Sequence, residues 1–83
     1  MWPDWWDWEL ELVSHLEKRM KDRDFNEIEL RRMLQAAYDF RVDTVEGRFV
    51  IETRHRGSRW NVIVEPDTED RLLLVITAYA VEV

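Results

Sequence analysis

The chain has 83 residues, of which 46% are hydrophobic and 36% are charged, and it contains no cysteine. A chain of this length buries one hydrophobic core but not two, so we expect a single domain over residues 1–83. The missing cysteines exclude disulfides, and two isolated histidines do not predict a metal site, so no cofactor is expected. The sequence has neither a signal-peptide pattern nor an apolar run of membrane-spanning length, which predicts a cytoplasmic protein outside the membrane.

The formal net charge of −6 is unevenly distributed along the chain. The first twelve residues contain four acids and no base, namely Asp4, Asp7, Glu9 and Glu11. Residues 48–60 contain one acid, Glu52, and four arginines, namely Arg48, Arg54, Arg56 and Arg59. Non-specific binding of nucleic acid needs a cationic surface, so the composition excludes a broad binding surface of this kind and leaves a local one.

A first helix is predicted from the N-terminus. Pro3 suits the first helical turn, and Asp4 and Asp7 complement the helix dipole there. Apolar residues then recur three or four positions apart, as expected for one buried stripe: Trp6, Leu10, Val13, Leu16 and Met20. We expect this helix to end near Asp22, with residues 1–14 as its acidic, tryptophan-rich N-terminal part.

A second helix has a stronger local signal at its start. Asn26 and Glu29 have the spacing of a capping box, and Phe25 and Leu30 have the spacing of a hydrophobic staple. The stripe expected to face the core consists of Leu30, Met33, Leu34 and Ala37.

After Asp39 the apolar period changes to two, which predicts strands. Turns are expected at Glu46-Gly47 and at Gly57-Ser58, and the strand after the second turn is expected to end at Pro66, which lacks an N–H. The last strand, residues 72–81, is apolar on both faces and should lie inside the sheet. The sequence therefore predicts an α+β fold, with two N-terminal helices packed on an antiparallel sheet of about four strands.

Two basic groups could bind phosphate. His15, Arg19 and Arg23 are four residues apart and share one helix face, which is either a solvated charged face or a phosphate or partner site. The second group combines a strand end with the residues across its turn: Arg54, His55, Arg56, Arg59 and Trp60. It either presents guanidinium groups to phosphate and an aromatic ring to a base, or it protects a strand edge from aggregation.

The N-terminal tryptophans suggest a covered surface. Apart from the core stripe, a second arc of the predicted helix is apolar, formed by Trp2, Trp5, Trp8 and Leu12. These side chains either cap the open side of the sheet within the monomer or form a homodimer or partner interface. Near the other end of the chain, Tyr79 and Thr77 share a strand face with Val75. Tyr79 is either a tyrosine at the edge of the core with a wet hydroxyl or a catalytic group.

Longer stretches of the sequence look familiar as a set, namely S-H-L-E-K-R-M-K-D-R-D-F, G-R-F-V-I-E-T-R-H-R-G and V-I-V-E-P-D with L-L-V-I-T-A-Y. The chain resembles, over roughly His15 to Tyr79, a small bacterial family of unknown function related to the RelE and BrnT toxins. The resemblance implies an αα-ββββ arrangement, RNA or the ribosome as a partner, and an antitoxin protein.

In active relatives, the resemblance implies metal-independent RNA cleavage by attack of a ribose 2′-hydroxyl on the adjacent phosphate. Such cleavage needs an acid, a base and cations around the phosphate. Carried onto this chain, the acid and base are sought among His15, His55 and Tyr79. The implied phosphate clamp is Arg19, Arg54 and Arg56. The competing expectation is a non-catalytic interaction module or homodimer of the same fold.

Overall fold

Two helices and five strands form the part of the chain that the computed structural model describes, residues 2–81. Met1, Glu82 and Val83, which the predicted domain includes, lie outside the described residues. In chain order the elements are a 3-10 turn at Asp4–Asp7, β1 at Glu9–Leu12, α1 at Ser14–Asp22, α2 at Glu27–Gln35, β2 at Asp39–Val42, β3 at Phe49–His55, β4 at Ser58–Asp67 and β5 at Leu72–Ala80. Among the described residues, no helix is long and apolar enough to cross a membrane.

The strands form one mixed sheet in the order β1-β5-β4-β3-β2. β1 runs parallel to β5, and the other neighbouring strands are antiparallel. The predicted α+β class is confirmed, but the sheet has one strand more than expected and is not purely antiparallel. The last strand is interior as predicted, because β5 pairs with β4 on one side and β1 on the other.

The predicted first helix is wrong over its N-terminal half. Residues 9–12 read Glu-Leu-Glu-Leu, which has a period of two, and they form β1. Leu10 pairs with Leu73 and Leu12 with Val75. The helical spacing also includes Leu10, so the two periods compete, and pairing with β5 decides the outcome by completing the sheet edge. Helix α1 begins at Ser14 and ends at Asp22, as expected for its end.

The predicted start of the second helix is confirmed. The Asn26 side chain accepts a hydrogen bond from the Glu29 N–H at 2.9 Å, and the Asn26 N–H donates to Glu29 Oε1 at 3.2 Å. Both bonds satisfy N–H groups that a helix start otherwise leaves unpaired. Three residues of the expected stripe are buried: Leu30, Met33 and Leu34.

The first predicted turn is confirmed and the second is displaced by one residue. Arg48 N–H donates to the Val45 carbonyl at 3.2 Å around Glu46-Gly47. In the β3–β4 hairpin, His55 pairs with Ser58, so Arg56 and Gly57 form the turn. Their φ angles of +51° and +79° fit a two-residue hairpin loop, which requires positive φ at both positions.

Two expectations about the last strands are corrected. β4 does not end at Pro66, because it continues to Asp67 with Pro66 paired to Leu73, beyond the point where β3 has begun opposite Val64. A bulge between Ile63 and Val64 shifts the register with β5. Val75 therefore faces the core, whereas Tyr79 lies on the opposite face of the sheet.

Both helices cover the same face of the sheet. The buried core on this face contains Leu16, Met20, Phe25, Leu30, Met33, Leu34, Ile51, Trp60, Val62, Val64, Leu73, Val75 and Ala78. The N-terminal tryptophans extend this core: the Trp5 ring lies 4.9 Å from that of Phe49. The expectation that they cap the other side of the sheet within the monomer is thus wrong. That other side, called the open face below, has no helix over it among the described residues.

Candidate nucleic-acid interface

Two arginines lie opposite each other on the open face, beside the β3–β4 turn. Arg54 of β3 pairs in register with Arg59 of β4, and both side chains are exposed. Alternation along the strands places them on the face away from the buried neighbours Thr53 and Trp60. Like charges at directly opposite positions destabilise a sheet, and an anion bound between them relieves this repulsion.

The acids of the open face already have other partners. Arg41 lies 3.6 Å from the Glu52 carboxylate, and Arg48 donates to Glu65 at 3.1 Å. Within residues 2–81, neither Arg54 nor Arg59 has a carboxylate within 4 Å. The two arginines are therefore a local positive charge on a chain whose net charge is −6.

Two exposed tyrosines flank the arginines. The Arg54 guanidinium carbon lies 5.8 Å from the centre of the Tyr38 ring, which is 49% exposed. On the other side, Asn61 Nδ2 lies 3.5 Å from the hydroxyl oxygen of Tyr79, which is 37% exposed. Because Asn61 donates to that oxygen, the Tyr79 hydroxyl keeps its own proton for a ligand. The open face thus combines guanidinium groups with aromatic rings.

Sequence reasoning missed Tyr38 and Asn61. Tyr38 precedes β2 and joins the sheet through its N–H, which donates to the Glu52 carbonyl at 3.0 Å. Only strand register brings either residue to the arginines, so residue type alone could not have identified them.

His55 lies on the other side of the sheet from Arg54. Its side chain is only 9% exposed, and its ring centre lies 5.2 Å from that of Trp60 and 6.2 Å from that of Phe25. Trp60 was expected to stack on a base, yet it is 8% exposed and belongs to the core. Neither ring is available to a ligand on the open face.

Arg56 at the hairpin tip contacts two acids. It donates to Asp24 at 3.3 Å and to Glu29 at 3.1 Å. This arginine holds the turn against the start of α2, and its charge is compensated. Of the arginines predicted around the hairpin, Arg54 and Arg59 remain as candidate phosphate ligands.

The helix group predicted from sequence stays together but apart from the hairpin group. His15, Arg19 and Arg23 line a shallow cleft on α1. Helix α1 packs over β5 on the covered face, whereas Arg54 lies on β3 and faces the open side. The structure does not bring the two basic groups to one sheet edge.

Arg23 has a structural task at the sheet edge. It donates to the Ala78 carbonyl at 2.8 Å, and Ala78 is fully buried. β1 ends beside Val75, so Arg23 replaces a strand neighbour at this part of β5.

We expect Arg23→Met to lower the free energy of unfolding by about 1–2 kcal/mol, because the buried Ala78 carbonyl loses its donor. Urea denaturation measures the change. Arg19→Met removes the same charge from an exposed position of the same helix and should change stability by less than about 0.5 kcal/mol. Equal losses in the two variants would contradict the role given to Arg23.

The predicted interface residues are Trp2, Trp5, Trp8 and Leu12. Trp5 packs inside the chain, Leu12 is paired in β1, and Trp2 keeps 37% of its surface exposed. The homodimer remains a prediction, since one chain alone does not test it.

Comparisons with known protein families, curated proteins and solved structures find no match to this chain. Charge, exposure and register on the open face are therefore the observations from which a function can be inferred. They describe a surface for a phosphate-bearing ligand with aromatic groups.

Proposed function

We propose that this chain is a RelE-like toxin-fold protein that binds single-stranded RNA on its open face. The observation that carries the proposal is the pair of arginines at opposed positions, Arg54 and Arg59, without a carboxylate partner in the described part of the chain. Arginine binds phosphate through two parallel hydrogen bonds, so the pair fits an RNA backbone.

The flanking tyrosines favour a single strand over a duplex. Bases stack on aromatic rings only when they are unstacked from their neighbours, which happens in single-stranded RNA. Tyr38 precedes β2 and Tyr79 lies on β5, so three strand spacings separate them, about 14 Å. A short RNA segment crossing the strands can contact both rings and the arginines between them.

The order of elements supports the toxin-fold part of the proposal. Two helices are followed by four antiparallel strands, β2 to β5, which is the αα-ββββ arrangement that the resemblance implies. β1 is an addition at the edge of that arrangement. The ribosome and an antitoxin, as partners, belong to this same proposal.

Cleavage of the bound RNA is assigned to Tyr79. A ribose 2′-hydroxyl attacks the adjacent phosphorus and loses its proton to solvent, while the bond from phosphorus to the 5′ oxygen breaks. Tyr79 gives its proton to that leaving oxygen and regains one from solvent, and Arg54 and Arg59 stabilise the charge on the phosphate. His15 and His55 are not on this face, so neither takes part.

RNA binding is tested by fluorescence anisotropy with a labelled single-stranded oligonucleotide. We expect the double variant Arg54→Ala/Arg59→Ala to bind at least about tenfold more weakly. We also expect its dependence of log K on log salt to flatten by about 1.4, or about 0.7 for each phosphate contact. A duplex of the same sequence should bind more weakly than the single strand to the unchanged protein.

The control variant is Arg19→Ala/Arg32→Ala, which makes the same change in net charge on the two helices. It should bind as the unchanged protein does. An equal loss in both double variants would show that overall charge alone governs binding. If the unchanged protein binds no RNA at low salt, the RNA proposal is wrong and the interaction module takes its place.

A further inference from the structure

His55 has an unsatisfied nitrogen in the protein interior. Among residues 2–81, its Nε2 is the one buried side-chain nitrogen or oxygen without a hydrogen-bond partner. The atom nevertheless lies 3.6 Å from Glu29 Oε2, too far for a good hydrogen bond but close for an ion pair. A buried polar atom without a partner is costly, so this placement calls for an explanation.

The charges around His55 are unbalanced when its imidazole is neutral. Asp24 precedes α2, Glu29 lies in its first turn, and Arg56 projects from the hairpin turn. The other packed neighbours, Phe25 and Trp60, are uncharged. Two carboxylates thus face one guanidinium, and a proton on His55 brings the cluster to zero net charge.

One carboxylate oxygen connects the histidine to the turn. Glu29 Oε2 is 3.1 Å from Arg56 Nη2 and 3.6 Å from His55 Nε2. A protonated imidazole is a donor at both nitrogens, so it can bond to this oxygen from the sheet side. The bond ties the end of β3 to the first turn of α2.

We propose that His55 is a proton-sensing positioning residue for the RNA site, an inference that rests on the proposed function. When His55 is protonated, Glu29 holds both His55 and Arg56, and the β3–β4 turn is fixed against α2. Arg54 and Arg59 directly flank the paired residues His55 and Ser58. Their spacing is then fixed before RNA arrives, which lowers the entropic cost of binding.

The expected consequence is tighter RNA binding in weak acid. Histidine changes charge between about pH 5 and pH 8. Binding favours the protonated form, so affinity is full at the acidic end and falls as pH rises. We expect the single-stranded RNA to bind about fivefold more tightly at about pH 5.5 than at about pH 8, at the low end of usual coupling.

Three variants separate the clamp from a simple effect of added charge. Glu29→Gln keeps the capping box, which accepts Gln, but removes the carboxylate, so the pH dependence should disappear. His55→Asn should remove it as well. His15→Asn removes the exposed histidine of α1 and should leave it unchanged. Full pH dependence in Glu29→Gln would overturn the clamp, because only the added charge would then act.

A measurement without RNA distinguishes this inference from the proposed function. Hydrogen exchange at the Arg56 and Gly57 amides should be more protected in acid than intrinsic exchange explains, in the unchanged protein but not in His55→Asn. Protection that does not depend on His55 overturns the sensor, whether or not RNA binds. RNA binding without pH dependence also overturns it, while leaving the proposed function in place.

Discussion

Deletion of residues 1–13 is expected to leave the chain unfolded or aggregated. These residues form the 3-10 turn and β1, which pairs with β5 over Leu72 to Val75. Trp5, Trp6, Trp8, Leu10 and Leu12 all pack against the core. Full burial of one large apolar side chain contributes about 1.5–3 kcal/mol, and a whole domain is stable by about 5–15 kcal/mol. Even with partial burial, the loss of five such side chains exceeds the stability of a small domain.

The deletion also exposes the backbone of β5. Its N-terminal half would become an unpaired edge with apolar side chains on both faces, from Leu72 to Val75. Such an edge is a template for pairing with another chain. Aggregation is therefore expected even under conditions in which part of the fold survives.

Circular dichroism and sedimentation measure this outcome. The control variant is Glu9→Ala/Glu11→Ala, which changes the exposed residues of the same strand and should leave the fold intact. A deleted chain that stays folded and monomeric would show that the segment is dispensable. That result would fit the predicted helical extension better than a strand of the sheet.

Local signals predicted the parts of the fold that local interactions determine. The start of α2 is set by Asn26 and Glu29, three residues apart, and both capping bonds are present. The turn at Glu46-Gly47 needs only a glycine with positive φ. In both places the residues that decide the structure are neighbours in sequence.

The N-terminus failed because its partner is distant in sequence. Glu-Leu-Glu-Leu gives only two repeats of a strand period, while Trp6, Leu10 and Val13 also fit a helix. Pairing with β5, about sixty residues further along, decides between them. A sequence read without that pairing favours the longer helical pattern.

The candidate site was predictable in its residues but not in its geometry. Arg54 and Arg59 stand out from sequence as local positive charge, yet their counterions depend on tertiary contacts. Arg56 looked equivalent to them until Asp24 and Glu29 proved to hold it. The bulge beside Ile63, which moves Tyr79 to the open face, leaves no clear mark in the sequence.

The largest functional effect is expected from Tyr79→Phe, which should slow cleavage of single-stranded RNA by about a hundredfold while leaving its affinity unchanged. The variant removes the proton donor and keeps the ring for stacking. Gel analysis of end-labelled RNA at saturating protein measures the rate, and titration at low RNA concentration measures the affinity. Induced expression in a bacterial host should arrest growth for the unchanged protein and not for Tyr79→Phe.

The histidine variants show which surface performs the chemistry. His15→Ala removes a group on α1, and His55→Asn removes one on the covered face, so neither should change the rate once RNA is bound at saturation. Because Asn61 donates to the Tyr79 hydroxyl, Asn61→Ala should slow cleavage less than Tyr79→Phe does, since it affects only a supporting bond. A rate abolished by His15→Ala and untouched by Tyr79→Phe would move the active site to the cleft on α1. Slow cleavage in Arg54→Ala/Arg59→Ala that recovers at high RNA concentration would instead limit the arginines to binding and leave Tyr79 to act on phosphate without them.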